Sequence, residues 1–301
     1  TQPEQVLVTN GGKQAIYNLF QVLLNPGDEV LLPAPYWLSY PEMAALAGAS
    51  TRIIPTKAEE GFRLDLDLLE QQITPSSRLL VINSPGNPSG QVMTRAELEA
   101  LAALVARHPQ LMVMSDEIYE YLLADGQQHC SFAAIAEEIR SRCFTVNGFA
   151  KGWAMTGWRL GYLAGDAAVI KAASALQSQS TSNVCSFAQR GAFAAIEGPR
   201  DCVREMAISY NRRRTLLTEG LQALQGITLT PPQGAFYAFP RLPDGVPDSM
   251  EFCRQALEQE GLAVVPGLAF GDDRCIRLSC AVADETINDG LMRLKRLLRS
   301  F

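Results

Sequence analysis

Short apolar runs alternate along the chain with longer segments in which apolar residues recur every three or four positions. The short runs predict buried strands, and the longer segments predict amphipathic helices. Over the first two-thirds of the chain the predicted strands are residues 5–9, 29–32, 51–55, 79–83, 111–115, 143–147 and 160–164. The predicted helices are residues 14–24, 36–47, 65–73 and a segment that ends at Arg107 and begins at a capping box formed by Thr94 and Glu97. This alternation predicts an α/β fold, a mostly parallel sheet with helices on both faces.

The pattern changes after about Pro199. The predicted helices there are residues 202–224, 249–260 and 285–298, and the strand-like segments are residues 227–230, 234–239, 262–265 and 275–280. Strands and helices no longer alternate regularly, so we predict a smaller α+β domain. The predicted division is a large domain at residues 1–198 and a C-terminal small domain at residues 199–301.

Polar and small residues follow several of the predicted buried strands. Gly11, Gly12, Asn87, Asp116 and Lys151 all lie at or just beyond the carboxyl end of a strand. Parallel sheets bind ligands outside the carboxyl ends of their strands. The sequence therefore predicts a ligand site at this edge of the sheet.

Composition limits the class of protein. Of 301 residues, 47% are hydrophobic and 19% are charged, with a net charge of -6, which is typical of a globular protein and argues against nonspecific nucleic-acid binding. No apolar run approaches the length of a membrane span. Seven scattered cysteines and two histidines suggest neither a disulfide framework nor a metal site, and they favour a cytoplasmic location.

Lys151 lies among small and apolar residues, in a segment that runs from Gly148 to Gly161 and contains Arg159. A lysine in apolar surroundings loses hydration of its ammonium form, so its pKa falls and a neutral amine becomes available. A neutral amine can form a Schiff base with an aldehyde. Taken alone, Lys151 would more often be an ordinary solvent-exposed lysine.

Five segments together carry a family resemblance that covers nearly the whole chain. They are Val8–Ala15, Asn83–Gly90, Ser115–Tyr119, Gly148–Gly161 and Ile276–Ser279. In this order they resemble the class I aminotransferases, which are pyridoxal-phosphate enzymes of fold type I. Residues 34–41 and 154–159 are most similar to bacterial aspartate aminotransferases, some of which also accept prephenate.

The resemblance implies a role for each residue that handles the cofactor ring. Lys151 would hold pyridoxal 5'-phosphate as an aldimine and act as general base and acid. Asp116 would keep the pyridine nitrogen protonated. Asn87 and Tyr119 would bond the phenolic oxygen of the ring, and Trp37 would stack on it.

The same resemblance implies the contacts for the anionic groups. Gly12 and Lys13, at the start of a helix, and Arg159 would hold the cofactor phosphate. Arg277 would pair with the substrate α-carboxylate, with Trp37 and Asn87 also in contact with the substrate. No residue could be identified for a second substrate carboxylate.

The implied activity is transfer of an amino group from an L-amino acid, aspartate first, to a 2-oxo acid such as 2-oxoglutarate. The implied assembly is a homodimer with active sites at the interface. Because family members carry further chain ahead of Thr1, we expect an N-terminal segment that belongs in part to the small domain. A carbon–sulfur β-lyase, the effector domain of a transcription regulator and an inactive fragment remain alternatives.

Overall fold

The computed structural model describes all residues from 1 to 301, and its centre is a seven-stranded sheet. Its strands are β1 (Val6–Thr9), β2 (Glu29–Pro33), β3 (Ser50–Ile54), β4 (Ser77–Asn83), β5 (Met112–Asp116), β6 (Cys143–Gly148) and β7 (Gly161–Ala164). Their order across the sheet is β1-β7-β6-β5-β4-β2-β3. Only β7 runs against its neighbours. The predicted mostly parallel α/β sheet is therefore confirmed.

Helices cover both faces of this sheet. They are α1 (Gly12–Leu23), α2 (Ser39–Leu46), α3 (Leu66–Gln72), α4 (Arg95–Ala106), α5 (Phe132–Ile135), α6 (Ala167–Ser178) and α7 (Ser186–Glu197). Successive residues of a strand point to opposite faces. In β4, Leu79 and Val81 join the core beneath α1 and α2, whereas Leu80 and Ile82 join the core beneath α3 and α4. Burial on both faces explains why the central strands β2, β4, β5 and β6 read as continuous apolar runs.

The C-terminal part has its own core. The long helix α8 (Asp201–Gln222) packs with α9 (Ser249–Glu260) and α10 (Asp284–Leu298) around a small antiparallel sheet. That sheet contains β8 (Tyr237–Ala238), β9 (Val265–Pro266) and β10 (Ile276–Ser279), in the order β8-β10-β9. None of the helices combines the length and apolar character needed to cross a membrane. The division at residue 199 stays a prediction.

Most predicted elements lie within a few residues of the observed ones, and the capping box at Thr94 and Glu97 is confirmed. Two strand predictions are wrong. Residues 227–230 form no strand, and only Thr228 makes an isolated bridge, to Arg241. The segment predicted at residues 262–265 is extended only over Val265–Pro266. Helices α5, α6 and α7 were not predicted.

Candidate active site

The carboxyl ends of β5 and β6 bring the predicted acid and amine to one place. Asp116 is the last residue of β5 and is buried. Its carboxylate accepts hydrogen bonds from the Tyr40 hydroxyl at 2.7 Å and from the Ile118 amide at 3.3 Å. Burial raises the pKa of Asp116 to about 6, although both hydrogen bonds and the charge of Lys151 act in the opposite direction. A cation placed against this carboxylate would therefore be held strongly.

Lys151 follows β6 after a short turn and is half-buried. Its amine lies 5.3 Å from the ring centroid of Phe236 and 5.7 Å from that of Tyr119. Burial lowers its pKa, and the positive charge of Arg277 lowers it further. The physical expectation for a reactive amine, loss of hydration among apolar and aromatic groups, is met here.

A second group of predicted residues joins the two sheets. Arg277 in β10 donates a hydrogen bond from Nη1 to the Asn87 side-chain oxygen at 3.0 Å. Asn87 is itself fixed, because its backbone amide donates to the Asn83 side chain at 2.7 Å. The hydroxyl of the buried Tyr119 lies 3.0 Å from that of Tyr237. The C-terminal sheet thus supplies an arginine to a site built mainly on the large sheet.

The start of α1 forms a narrow cradle with Arg159. The first amide groups of a helix have no intrahelical partner and face anions favourably. Arg159 donates to the carbonyl oxygen of Asn10 at 3.3 Å, so its guanidinium lies against this helix start. A Cβ atom on Gly11 would lie 2.5 Å from Arg159 Nη2, and one on Gly161 would lie 2.6 Å from the Gly12 amide nitrogen. Only glycine permits this close approach.

Replacing Gly11 with alanine is expected to weaken anion binding at this cradle about 10-fold to 100-fold, because the new methyl group displaces Arg159 and one charge-assisted contact is lost. The measurement is the affinity for pyridoxal 5'-phosphate. Gly126→Ala is the matched control, since Gly126 has φ 80 against 78 for Gly11 but open space around it. Equal loss of affinity in both variants would show that backbone strain alone is responsible.

Trp37 and Lys13 occupy the side of the site next to Tyr40. The Trp37 ring meets the Tyr40 ring edge-on, with centroids 5.4 Å apart. The amine of Lys13 lies 4.9 Å from the Trp37 centroid, and Lys13 forms no ion pair with an acidic residue. Lys13 is therefore a free cation beside the predicted ring-stacking tryptophan.

Three residues of the site were not predicted, namely Tyr40, Phe236 and Tyr237. Tyr40 lies in the segment that carried the resemblance, but no local pattern connects it with Asp116, 76 positions away. Phe236 and Tyr237 follow Gly234 and Ala235, and two adjacent aromatic residues in a short extended segment could have marked them. Their burial against Lys151 and Arg277 is a matter of tertiary packing.

These features define an α/β enzyme whose site, at the carboxyl edge of its sheet, combines a reactive amine, a buried acid and cradles for anions. A profile for the family described as aminotransferase class I and II matches residues 1–294. The chain belongs to this family.

The similar proteins of known name and the similar solved structures are also aminotransferases. The bifunctional aspartate aminotransferase and glutamate/aspartate-prephenate aminotransferase of Petunia hybrida is 45% identical, covering 98% of this chain and 64% of its own length. The aspartate/prephenate aminotransferase of Cereibacter sphaeroides is 42% identical, covering 97% of this chain and 76% of its own length. The chain thus spans about two-thirds to three-quarters of these relatives.

The fold matches solved aspartate aminotransferases closely. The Thermus thermophilus enzyme with maleate superposes with a TM-score of 0.92 at 44% identity, over 99% of this chain and 77% of that one. The Rhizobium meliloti aspartate aminotransferase superposes with a TM-score of 0.95 at 35% identity, over 99% of this chain and 77% of that one.

Proposed function

We propose that this protein transfers an amino group between aspartate and 2-oxoglutarate with pyridoxal 5'-phosphate as cofactor. The observation that carries the proposal is the half-buried Lys151 amine near the buried carboxylate of Asp116, with Arg277 from the second sheet acting on the same amine. The relatives named aspartate and aspartate/prephenate aminotransferases support this choice over the β-lyase and the transcription regulator.

The residues present fit the cofactor. The cradle of Gly11, Gly12 and Arg159, which a Cβ atom would fill, suits a phosphate group. Asp116 would hold the protonated ring nitrogen, and Tyr119 and Asn87 would bond the phenolic oxygen. When bound, pyridoxal 5'-phosphate supplies an aldehyde that takes up amino groups and a pyridinium ring that accepts electrons.

The protein's own part in the reaction is proton transfer and orientation. Lys151 Nζ takes the proton from the substrate Cα, and its lowered pKa increases the neutral fraction that can do so. The carboxylate of Asp116 would keep a proton on the ring nitrogen of the bound cofactor, because a buried anion favours a cation beside it. Arg277 and Asn87 would bind the α-carboxylate of the substrate, and Trp37 would stack on the cofactor ring.

Aspartate has a second carboxylate, and Lys13 is the free cation available for it. The sequence assigned Lys13 to the cofactor phosphate, whereas its place beside Trp37 suits a substrate anion as well. Removal of Arg277 should therefore weaken binding of every amino acid substrate, whereas removal of Lys13 should weaken binding only of substrates that carry a second carboxylate.

We expect Arg277→Gln to raise KM about 100-fold for aspartate and for alanine alike, because both have an α-carboxylate that pairs with the guanidinium. Lys13→Gln should raise KM for aspartate and leave that for alanine unchanged. Steady-state assays with both amino acids check this. If Lys13 serves the phosphate instead, its variant will lose cofactor affinity while the aspartate-to-alanine ratio stays constant.

The direct test of function is absorbance of the protein with pyridoxal 5'-phosphate. Adding aspartate should remove the band of the bound aldehyde, and adding 2-oxoglutarate should restore it, as a ping-pong transfer requires. Loss of the band without its return, together with release of pyruvate from a β-substituted amino acid, would instead identify a β-lyase. No band at all would reject the proposal.

We also propose a homodimer and a cytoplasmic location. Helix α7 presents three large apolar side chains to solvent, with exposed fractions of 75% for Phe187, 60% for Phe193 and 50% for Ile196. A surface of this kind usually marks an interface between chains. A single-subunit mass by light scattering would reject the dimer.

A further inference from the structure

Tyr237 lies between two residues to which the proposed function gives a role. Its hydroxyl is 3.0 Å from the hydroxyl of Tyr119, and the two rings meet edge-on with centroids 5.8 Å apart. On its other side, the central guanidinium carbon of Arg277 lies 4.6 Å from the Tyr237 ring centroid. Both tyrosines are buried, with 4% of Tyr119 and 8% of Tyr237 exposed, so water does not replace these contacts.

The number of protons on the two tyrosines determines the direction of the hydrogen bond between them. A tyrosine hydroxyl has one proton to donate and an oxygen that accepts. Neither hydroxyl has another hydrogen-bond partner within the protein, so either can donate to the other. Once Tyr119 donates its single proton to an oxygen outside the protein, its own oxygen can only accept. The hydrogen bond between the two hydroxyl groups must then use the proton of Tyr237.

We propose that Tyr237 is a positioning residue that donates its hydroxyl proton to Tyr119 and so directs the Tyr119 proton to the phenolic oxygen of the cofactor; this rests on the proposed function. Arg277 contributes as well, because a cation over an aromatic ring attracts electron density and makes the phenol a better proton donor. The substrate arginine and the cofactor tyrosine are thereby linked through one side chain.

The backbone before Tyr237 is held in place from two directions. Ala235 has φ 55, a left-handed conformation that needs support from its surroundings. The buried Arg214 of α8 donates to the Ala235 carbonyl oxygen at 2.6 Å, and the Ala235 amide donates to the Leu122 carbonyl oxygen at 2.8 Å. Leu122 in turn bonds back to Tyr119 through its amide at 2.8 Å. The two tyrosines therefore share one rigid frame.

Tyr237→Phe tests the proposal, because it keeps the ring and removes only the hydroxyl. The measurement is the pH midpoint at which the absorbance of bound pyridoxal 5'-phosphate changes. We expect a rise of about 0.5 pH unit, since weaker donation from Tyr119 stabilises the anionic ring oxygen less. kcat should fall while KM for aspartate stays unchanged. The titratable or charged groups that act on Tyr119 or lie against it are Tyr40, Asp116, Lys151, Tyr237 and Arg277.

The matched control is Tyr210→Phe. The Tyr210 ring stacks on Phe236 with centroids 5.2 Å apart, but its hydroxyl has no hydrogen-bond partner within the protein. This variant should leave the midpoint unchanged. A second measurement avoids the cofactor altogether. A double-mutant cycle on the unfolding free energy of the cofactor-free protein should show that the Tyr119 and Tyr237 hydroxyls are coupled.

The decisive comparison is made in a protein that lacks the Tyr119 hydroxyl. If Tyr237 acts through Tyr119, the double variant Tyr119→Phe with Tyr237→Phe has the same midpoint as Tyr119→Phe alone. The same shift in both backgrounds, or none in Tyr237→Phe, overturns the proposal while leaving the proposed function intact. Failure of the wild-type protein to bind pyridoxal 5'-phosphate overturns both.

Discussion

Lys151→Ala is expected to lower the rate of amino transfer by at least about 1,000-fold. The variant loses both the amine that takes up the aldehyde and the base that takes the substrate Cα proton, and positioned proton transfer alone contributes about 100-fold to 10,000-fold. The other lysine of the site is Lys13, whose amine lies over the Trp37 ring at the edge of the site and cannot replace Lys151. The measurement is kcat with aspartate and 2-oxoglutarate.

The control is Lys171→Ala, which removes an exposed lysine of α6 and should leave kcat unchanged. Borohydride reduction adds a chemical test, since it fixes a bound aldehyde to its amine. Mass spectrometry should then find the added mass on the peptide that contains Lys151. Added mass on another lysine, or a Lys151→Ala protein with a tenth of normal activity, would contradict the assignment of this residue.

The prediction of the large sheet succeeded because its local signals are strong. The central strands β2, β4, β5 and β6 are largely buried on both faces, so their apolar runs stand out from the polar ends of neighbouring helices. Asp116 ends one of these runs, and Asn87 lies in the loop after another. Helix α6 shows how a weaker signal is lost. It is rich in alanine and serine, which mark no apolar face clearly, and only the Asp166 cap could have indicated its start.

The wrong strand at residues 227–230 has a different cause. The alternation Ile-Thr-Leu-Thr fits a half-buried strand, but Pro231 and Pro232 follow and cannot donate to a ladder. Only Thr228 finds a partner, at Arg241. An alternation of apolar and polar residues predicts a strand, but whether a second strand lies beside it to form hydrogen bonds depends on the whole fold.

The site shows the same limit. Lys151, Asp116 and Arg277 stand in motifs that the sequence makes visible, so their meeting could be predicted. Tyr40 donates to Asp116 although the two residues are 76 positions apart in the sequence. Tyr237 contacts the hydroxyl of Tyr119 across 118 positions. Contacts of this kind depend on how α2 and the C-terminal sheet pack. No spacing in the sequence encodes them.

Asp116→Asn should have two effects of opposite sign. Amino transfer should fall about 1,000-fold, because removal of one partner of a buried charge pair costs about 3–5 kcal/mol. The cofactor-free protein should become more stable at neutral pH. Burial raises the pKa of Asp116 from 3.8 to about 6, so its ionisation in the folded protein costs up to about 3 kcal/mol.

The pH dependence fixes the sign of the stability effect. A carboxyl group with a raised pKa binds its proton more tightly when folded, so its stabilising contribution is complete below pH 3.8 and is lost as pH rises through about 6. The stability advantage of Asp116→Asn should therefore grow between pH 4.5 and pH 7 in urea unfolding. Asp67→Asn, an exposed control on α3, should show no such growth.

These two effects together separate a functional acid from a structural one. Replacement of an aspartate that stabilises the fold would make the protein less stable. Replacement of Asp116 should instead lower the activity of the protein and raise its stability, because burial of this carboxylate is unfavourable until a cation lies against it. In the variant the asparagine oxygen would still accept the hydrogen bond from the Tyr40 hydroxyl. The NH2 group cannot accept from the Ile118 amide, but that 3.3 Å hydrogen bond is the longer of the two, and its loss costs less than the ionisation of a buried carboxyl group. An Asp116→Asn protein that is less stable than wild type at pH 7 would show that the carboxylate is held by partners within the chain.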